Sequence, residues 1–171
     1  MELNNDKSAR KQLQFGLRFT ASLFSTIMLL AIWLPLGNAN AAGVQLRNYW
    51  KNNQYLNVET GGIRSSTIEP GWWSAQWFLE SISGLPSMYR IKNRWTSQYL
   101  HIENGYLEMG AIQPGWHSAM WSFKHSAVGN NIFNIQNRWK GTYLHIEYGR
   151  LEIGNIQPGW HSAGWTTISI P

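Results

Sequence analysis

Along most of the chain, apolar and polar residues alternate in short runs, and a helical period is nowhere sustained. In Tyr99-Leu100-His101-Ile102-Glu103 the apolar Leu100 and Ile102 fall on one strand face, with Tyr99, His101 and Glu103 on the other. Asn104-Gly105 then signals a turn, and Tyr106-Leu107-Glu108-Met109 alternates again. Pro114-Gly115 interrupts the chain before a further strand around Trp121 and Phe123, and Tyr89-Arg90-Ile91-Lys92 supplies one upstream. The predicted unit is therefore four short strands.

That unit occurs three times. Trp77, Trp121 and Trp165 are 44 residues apart, as are Tyr55, Tyr99 and Tyr143, and Glu59, Glu103 and Glu147. The shared string P-G-W-x-S-A-x-W runs over Pro70 to Trp77, Pro114 to Trp121 and Pro158 to Trp165. The second and third copies also share N-R-W (Asn93 to Trp95, Asn137 to Trp139) and Y-L-H-I-E (Tyr99 to Glu103, Tyr143 to Glu147), while the first reads N-Y-W-K-N-N-Q-Y-L-N-V-E. Twelve strands in three equal parts are too few for a propeller, whose blades usually number four to eight, and a parallel solenoid uses shorter coils. The all-β solution that remains is a β-trefoil, a six-stranded barrel capped by three hairpins. The repeats cover about residues 44–87, 88–131 and 132–171. Leu56/Val58, Leu100/Ile102 and Leu144/Ile146 are expected to face its core, with the closing tryptophans packed between repeats.

Composition changes the picture at the N-terminus. Lys7, Arg10, Lys11 and Arg18 precede a largely apolar run from Phe19 to Leu36, and Ala39-Asn40-Ala41 follows as a small-x-small site. This order describes a secretory signal peptide over residues 1–41, leaving one domain over 42–171 and a secreted or periplasmic product. Ser22, Ser25, Thr26 and the Pro35–Gly37 break make the run short for a membrane span, so membrane contact would come only through an uncleaved leader. The whole chain carries a net charge of +5, but beyond residue 41 ten Lys/Arg face seven Glu and no Asp, which lowers the charge to +3. The basic residues are scattered and form no nucleic-acid footprint. With no Cys, the fold has neither disulfides nor thiolate metal sites and depends on its aromatic core. Of the 11 tryptophans, Trp33 lies in the leader, and nine others form three sets of three. Trp73 stands alone, where the other repeats have His117 and His161.

The repeat resembles that of the ricin B-chain-like lectins, a family of β-trefoils. Leu100-His101-Ile102 looks like the family's L-D-V strand, Ala111-Ile112-Gln113 like its middle segment, and Ala119-Met120-Trp121 stands at its Q-x-W. The third copy matches through Leu144-His145-Ile146, Ile156-Gln157 and Ala163-Gly164-Trp165, and the resemblance covers about Val44 to Pro171. It implies the β-trefoil fold and sugar binding, without a cofactor. The family's sugar-binding Asp falls on Asn57, His101 and His145, and the Gln of Q-x-W is Ala75, Ala119 and Ala163. Galactose specificity is therefore not implied.

Sugar recognition needs an exposed ring beside hydrogen-bonding side chains. One expected pocket comprises His101, Glu103, Gln113, Trp116 and His117, and a second His145, Glu147, Gln157, Trp160 and His161. The first repeat offers a poorer version through Asn57, Glu59, Glu69, Trp72 and Trp73. Trp116 and Trp160 follow Pro-Gly in a loop, which favours exposure. Trp77, Trp121 and Trp165 are expected in the core, and Trp50, Trp95 and Trp139 in core or inter-repeat packing. Glu59, Glu103 and Glu147 either contact ligand or fix the following turn through backbone N–H groups.

Catalysis is not expected. His101-x-Glu103 provides two candidate ligands, too few for a metal, and a Ser-His-Asp triad lacks its Asp. Glycosidase chemistry needs two carboxylates about 5 to 9.5 Å apart, whereas these glutamates are distributed around the repeats. The expected function is non-catalytic glycan binding with two similar sites and one degenerate site. The alternative is a protein-interaction β-trefoil of inhibitor or toxin-accessory type, which would carry one unique long loop. The non-repeated stretches, Ser81 to Ser87 and Ser126 to Asn131, are both short.

Overall fold

A computed structural model describes residues 43–170; the leader expected over 1–41 lies outside them. Twelve strands follow in three sets of four. The first set is β1 (Gly43–Asn48), β2 (Tyr55–Asn57), β3 (Arg64–Ser66) and β4 (Trp77–Ile82). The second is β5 (Leu85–Asn93), β6 (Tyr99–His101), β7 (Glu108–Gly110) and β8 (Trp121–His125). The third is β9 (Phe133–Asn137), β10 (Tyr143–His145), β11 (Glu152–Gly154) and β12 (Trp165–Ser169).

The antiparallel pairs β1–β4, β4–β5, β5–β8, β8–β9, β9–β12 and β12–β1 close a ring, which removes every barrel edge. The hairpins β2–β3, β6–β7 and β10–β11 attach to that ring through β1, β5 and β9. This is the β-trefoil the repeat implied. Between the first and second sets, β4 continues into β5 as a hairpin pairing Ile82 with Leu85. Gly84 takes φ +74 in that turn, a conformation open to glycine.

The core consists of four threefold sets: Leu46/Ile91/Ile135, Leu56/Leu100/Leu144, Val58/Ile102/Ile146 and Trp77/Trp121/Trp165. Each buried side chain of this size contributes about 1.5–3 kcal/mol, enough in sum for a domain without disulfides. Every closing indole also donates its Nε1–H, from Trp77 to Leu56 O (2.9 Å), Trp121 to Leu100 O (2.8 Å) and Trp165 to Leu144 O (2.9 Å). A buried indole needs that partner, and here it ties the fourth strand of each unit to the second.

Adjacent repeats are stitched by a fully buried asparagine at the end of β1, β5 and β9. Asn93 Nδ2 donates to Ser74 O (2.8 Å), Asn137 Nδ2 to Ser118 O (2.8 Å), and Asn48 Nδ2 to Ser162 O (2.9 Å) and Gly164 O (3.1 Å), which closes the ring. Each Oδ1 accepts backbone N–H groups from the following loop, those of Lys51, of Trp95 and Thr96, and of Trp139 and Lys140.

That inward pull turns the next residues out to solvent. Trp50, Trp95 and Trp139 are 48%, 54% and 45% exposed, not packed in the core or between repeats as their periodicity suggested. The buried Asn two positions earlier takes the inward direction, leaving each tryptophan exposed.

Candidate functional site

The candidate site residues gather around the hairpins and the loops that follow them. His101 and His145, at the family's Asp position, are buried at 6% and 5% exposure, as is Asn57. One polar atom of each serves the backbone. His101 Nδ1 accepts the N–H of Glu103 (3.4 Å), His145 Nδ1 that of Glu147 (3.4 Å), and Asn57 Oδ1 that of Glu59 (3.3 Å). An acceptor two residues before the turn is what the three positions share.

What lies beneath them differs between repeats. A Cβ on Gly110 would stand 2.7 Å from His101 Nε2, and one on Gly154 would stand 2.8 Å from His145 Nε2. The long imidazole thus requires glycine on the paired strand. In the first repeat the shorter Asn57 leaves room for Ser66, and Asn57 Nδ2 donates to Ser66 Oγ at 2.8 Å. The two choices are alternative ways of filling one space.

Each imidazole in turn supports a tryptophan. His101 meets Trp116 edge-on, with centroids 5.8 Å apart at 68°, and His145 meets Trp160 at 6.1 Å and 76°. Trp116 and Trp160 are half-buried, with Gln113, His117, Gln157 and His161 exposed in the same loops. The loop geometry follows from Pro-Gly. Gly71, Gly115 and Gly159 have φ +87, +91 and +86, and the N–H of Trp72, Trp116 and Trp160 donates to Glu69, Gln113 and Gln157 O. This is a type II turn, which demands glycine at its third position.

Glu59, Glu103 and Glu147 have a role other than fixing the turn through N–H groups. Each carboxylate accepts the hydroxyl hydrogen bond of a buried serine fifteen residues on, Ser74, Ser118 and Ser162 respectively. The serine carbonyl accepts the N–H of Val58, Ile102 and Ile146 in the hairpin, so the pair locks the post-Pro-Gly loop to β2, β6 and β10. In the second repeat the turn itself is held by Glu108, whose Oε1 accepts the Asn104 N–H at 3.0 Å.

Burial pushes the His145 imidazole below its ordinary value, against the opposing pull of the Glu152 and Glu147 carboxylates. The unfolded chain then takes up the proton more readily than the folded one. Stability from this group is full above about pH 6.5 and is lost as pH falls below it. The melting temperature is expected to drop between pH 7 and pH 5, and His145→Asn to flatten that slope. An unchanged slope in a melting series of the variant would contradict the assignment.

The junction between the first and second repeats forms a cleft lined by Glu59, Gly71, Trp72, Trp73, Ser74 and Trp95. Trp95 comes from the second repeat and the others from the first, so the wall is shared across the junction. At the third junction Tyr49 of the first repeat packs edge-on against His161, with centroids 5.3 Å apart. Trp95, Asn93 and the buried serines were not singled out by sequence reasoning for these roles. The available signal was position: N-R-W ends an alternating strand and enters a turn-rich loop, where a tryptophan has no core face to join. Among the described residues, no cluster of three or more His, Asp or Glu is placed to hold a metal ion.

No family model and no curated protein matches the chain. Solved structures do. An endo-β-galactosidase from Clostridium perfringens that releases GlcNAcα1-4Gal is 28% identical with a TM-score of 0.67, over 76% of this chain and 33% of its own. The designed three-fold symmetric protein ThreeFoil is 15% identical, with a TM-score of 0.64 over 75% of this chain and 99% of its own. SeviL, bound to the asialo-GM1 saccharide, is 16% identical, with a TM-score of 0.63 over 75% and 98%. The chain thus spans a third of the Clostridium enzyme and nearly all of the other two. These likenesses show the β-trefoil fold.

Proposed function

We propose that this chain is an exported, non-catalytic carbohydrate-binding β-trefoil with two similar sites, at Trp116 and Trp160, and a third that has diverged. The observation that carries this reading is the twice-built assembly of a buried histidine supporting a half-exposed tryptophan, flanked by exposed Gln and His side chains. A ring fixed from behind offers its free surface to the C–H face of a sugar at little ordering cost. Gln113 with His117, and Gln157 with His161, supply hydrogen bonds to hydroxyl groups. His101, Glu103, His145 and Glu147 act beneath as positioning residues, and Asn57 with Trp72 forms the divergent third version. Two sites on one chain act through avidity on a multivalent glycan surface. Distribution of Glu59, Glu103 and Glu147 over three repeats, each engaged by a serine, supports binding over catalysis.

A glycan array of the protein tests this. Trp116→Ala and Trp160→Ala are each expected to weaken binding to the glycans retained by the parent by about tenfold, the effect of losing roughly 1.4 kcal/mol. Retention unaffected by either change would remove these sites. Absence of any glycan signal would transfer the protein to the protein-interaction class.

A further inference from the structure

The cleft between the first and second repeats differs from the glycan sites proposed above in what lines it. Trp72, Trp73 and Trp95 line it together with a single carboxylate, Glu59, and no basic side chain contributes to the lining. The Ser74 hydroxyl is buried and donated to Glu59 Oε2, while Glu59 Oε1 accepts no hydrogen bond among the described residues. A sugar would find three rings here but hardly any side chain with which to bond its hydroxyl groups. A cation without N–H groups needs only the rings and a counter-charge.

The molecule itself shows what these ring positions accept. Lys51 Nζ lies over Trp50 at 4.9 Å, Lys140 Nζ over Trp139 at 4.0 Å, and the Arg94 guanidinium over Trp73 at 4.6 Å. Arg94 also donates to Gln76 Oε1 and does not line the cleft. At the position of Lys51 and Lys140 the second repeat has Thr96. Among the described residues, Trp95 is therefore the exposed tryptophan with no cation over its ring. Its cleft is also the one in which Trp73 replaces the histidine of the other repeats.

We propose that this cleft is an aromatic cage for a quaternary ammonium group of the choline type, with Trp72, Trp73 and Trp95 as its walls and Glu59 as the counter-charge. The bound trimethylammonium takes the place that a neighbouring lysine fills over Trp50 and Trp139. The cage takes over Trp72, and with it the place of the divergent third glycan version; it is separate from the clefts at Trp116 and Trp160 and does not depend on them.

Calorimetric titration of the whole protein with choline, phosphocholine and the neutral isostere 3,3-dimethylbutan-1-ol tests the assignment. Choline or phosphocholine is expected to bind saturably at one site per chain, at least about tenfold more tightly than the isostere. A preference for phosphocholine would point to a head group as the source, and equal affinity to free choline; either supports the cage. Thr96→Lys is expected to abolish binding by placing an internal cation on Trp95, with the melting temperature and any glycan retention at Trp116 and Trp160 unchanged. Trp95→Ala should do the same, and Glu59→Gln, which keeps an acceptor for Ser74, should weaken binding several-fold. Equal affinity for choline and its isostere, no saturable binding at all, or undiminished binding in a folded Thr96→Lys protein would overturn the proposal.

Discussion

Asn93→Ala is expected to destabilise the protein by about 2–4 kcal/mol. The side chain is fully buried and donates to Ser74 O at 2.8 Å and Gln76 O at 3.4 Å. Its Oδ1 accepts the N–H groups of Trp95 at 3.0 Å and Thr96 at 3.1 Å. Truncation removes these bonds at once, at about 1 kcal/mol or more for each lost interaction. Ser74 O retains the Val58 N–H and Gln76 O the Arg94 N–H, which limits the loss. Asn93→Asp separates the donor role from the acceptor role, because a carboxylate accepts both loop N–H groups but donates nothing and places a charge where no cation is paired to it. It is expected to cost at least as much as alanine. Urea unfolding measures both, and a loss below about 0.5 kcal/mol for Asn93→Ala would show that the stitch contributes little. The equivalent change at Asn48 should be comparably harmful, since it severs contacts with Ser162 and Gly164 that join the first repeat to the third.

Gly110→Ser is expected to cost about 1–3 kcal/mol, the range for forcing atoms into a filled space, because its Cβ would meet His101 Nε2 at 2.7 Å. Adding His101→Asn should recover most of that loss. The pair then reproduces the first repeat, where Asn57 and Ser66 hydrogen-bond at 2.8 Å. The double variant is therefore expected to be more stable than Gly110→Ser alone by about 1–2 kcal/mol, a coupling of the size found for residues in contact. It should also loosen Trp116, which loses the imidazole edge 5.8 Å from its ring, so glycan binding at that site should fall although the fold recovers. Strict additivity of the two single changes would contradict the shared-space explanation.

The repeat period carried the fold far. A spacing of 44 residues and alternating Leu and Ile located the three units, their four strands each and the core sets around Trp77, Trp121 and Trp165. The tight turn at Ile82–Leu85 was obscured because the corresponding β8–β9 hairpin closes over a longer loop, with His125 paired to Phe133, and a loop and a tight turn look alike in Ser81 to Ser87. Pro-Gly marked the turn that precedes Trp116 and Trp160. Exposure of Trp50, Trp95 and Trp139 was not legible, since it depends on where the side chain of a nearby asparagine points, and that is fixed by carbonyls of the preceding unit in the ring. The Glu103–Ser118 pair was hidden for a related reason. Its members are both repeated, but only the folded loop brings residues fifteen apart into contact. The imidazole of His101 could be read as an exposed polar group from strand alternation, whereas the absence of a side chain at Gly110 is what lets it lie flat and buried.

Stoichiometry of glycan binding tests the central claim most directly. Calorimetric titration with a glycan retained on the array is expected to give two equivalents per chain, one of them at the parent affinity for Trp116→Ala or Trp160→Ala, and none at that affinity for the double variant. Two equivalents persisting at the parent affinity in the double variant, with the fold intact by melting temperature, would contradict it.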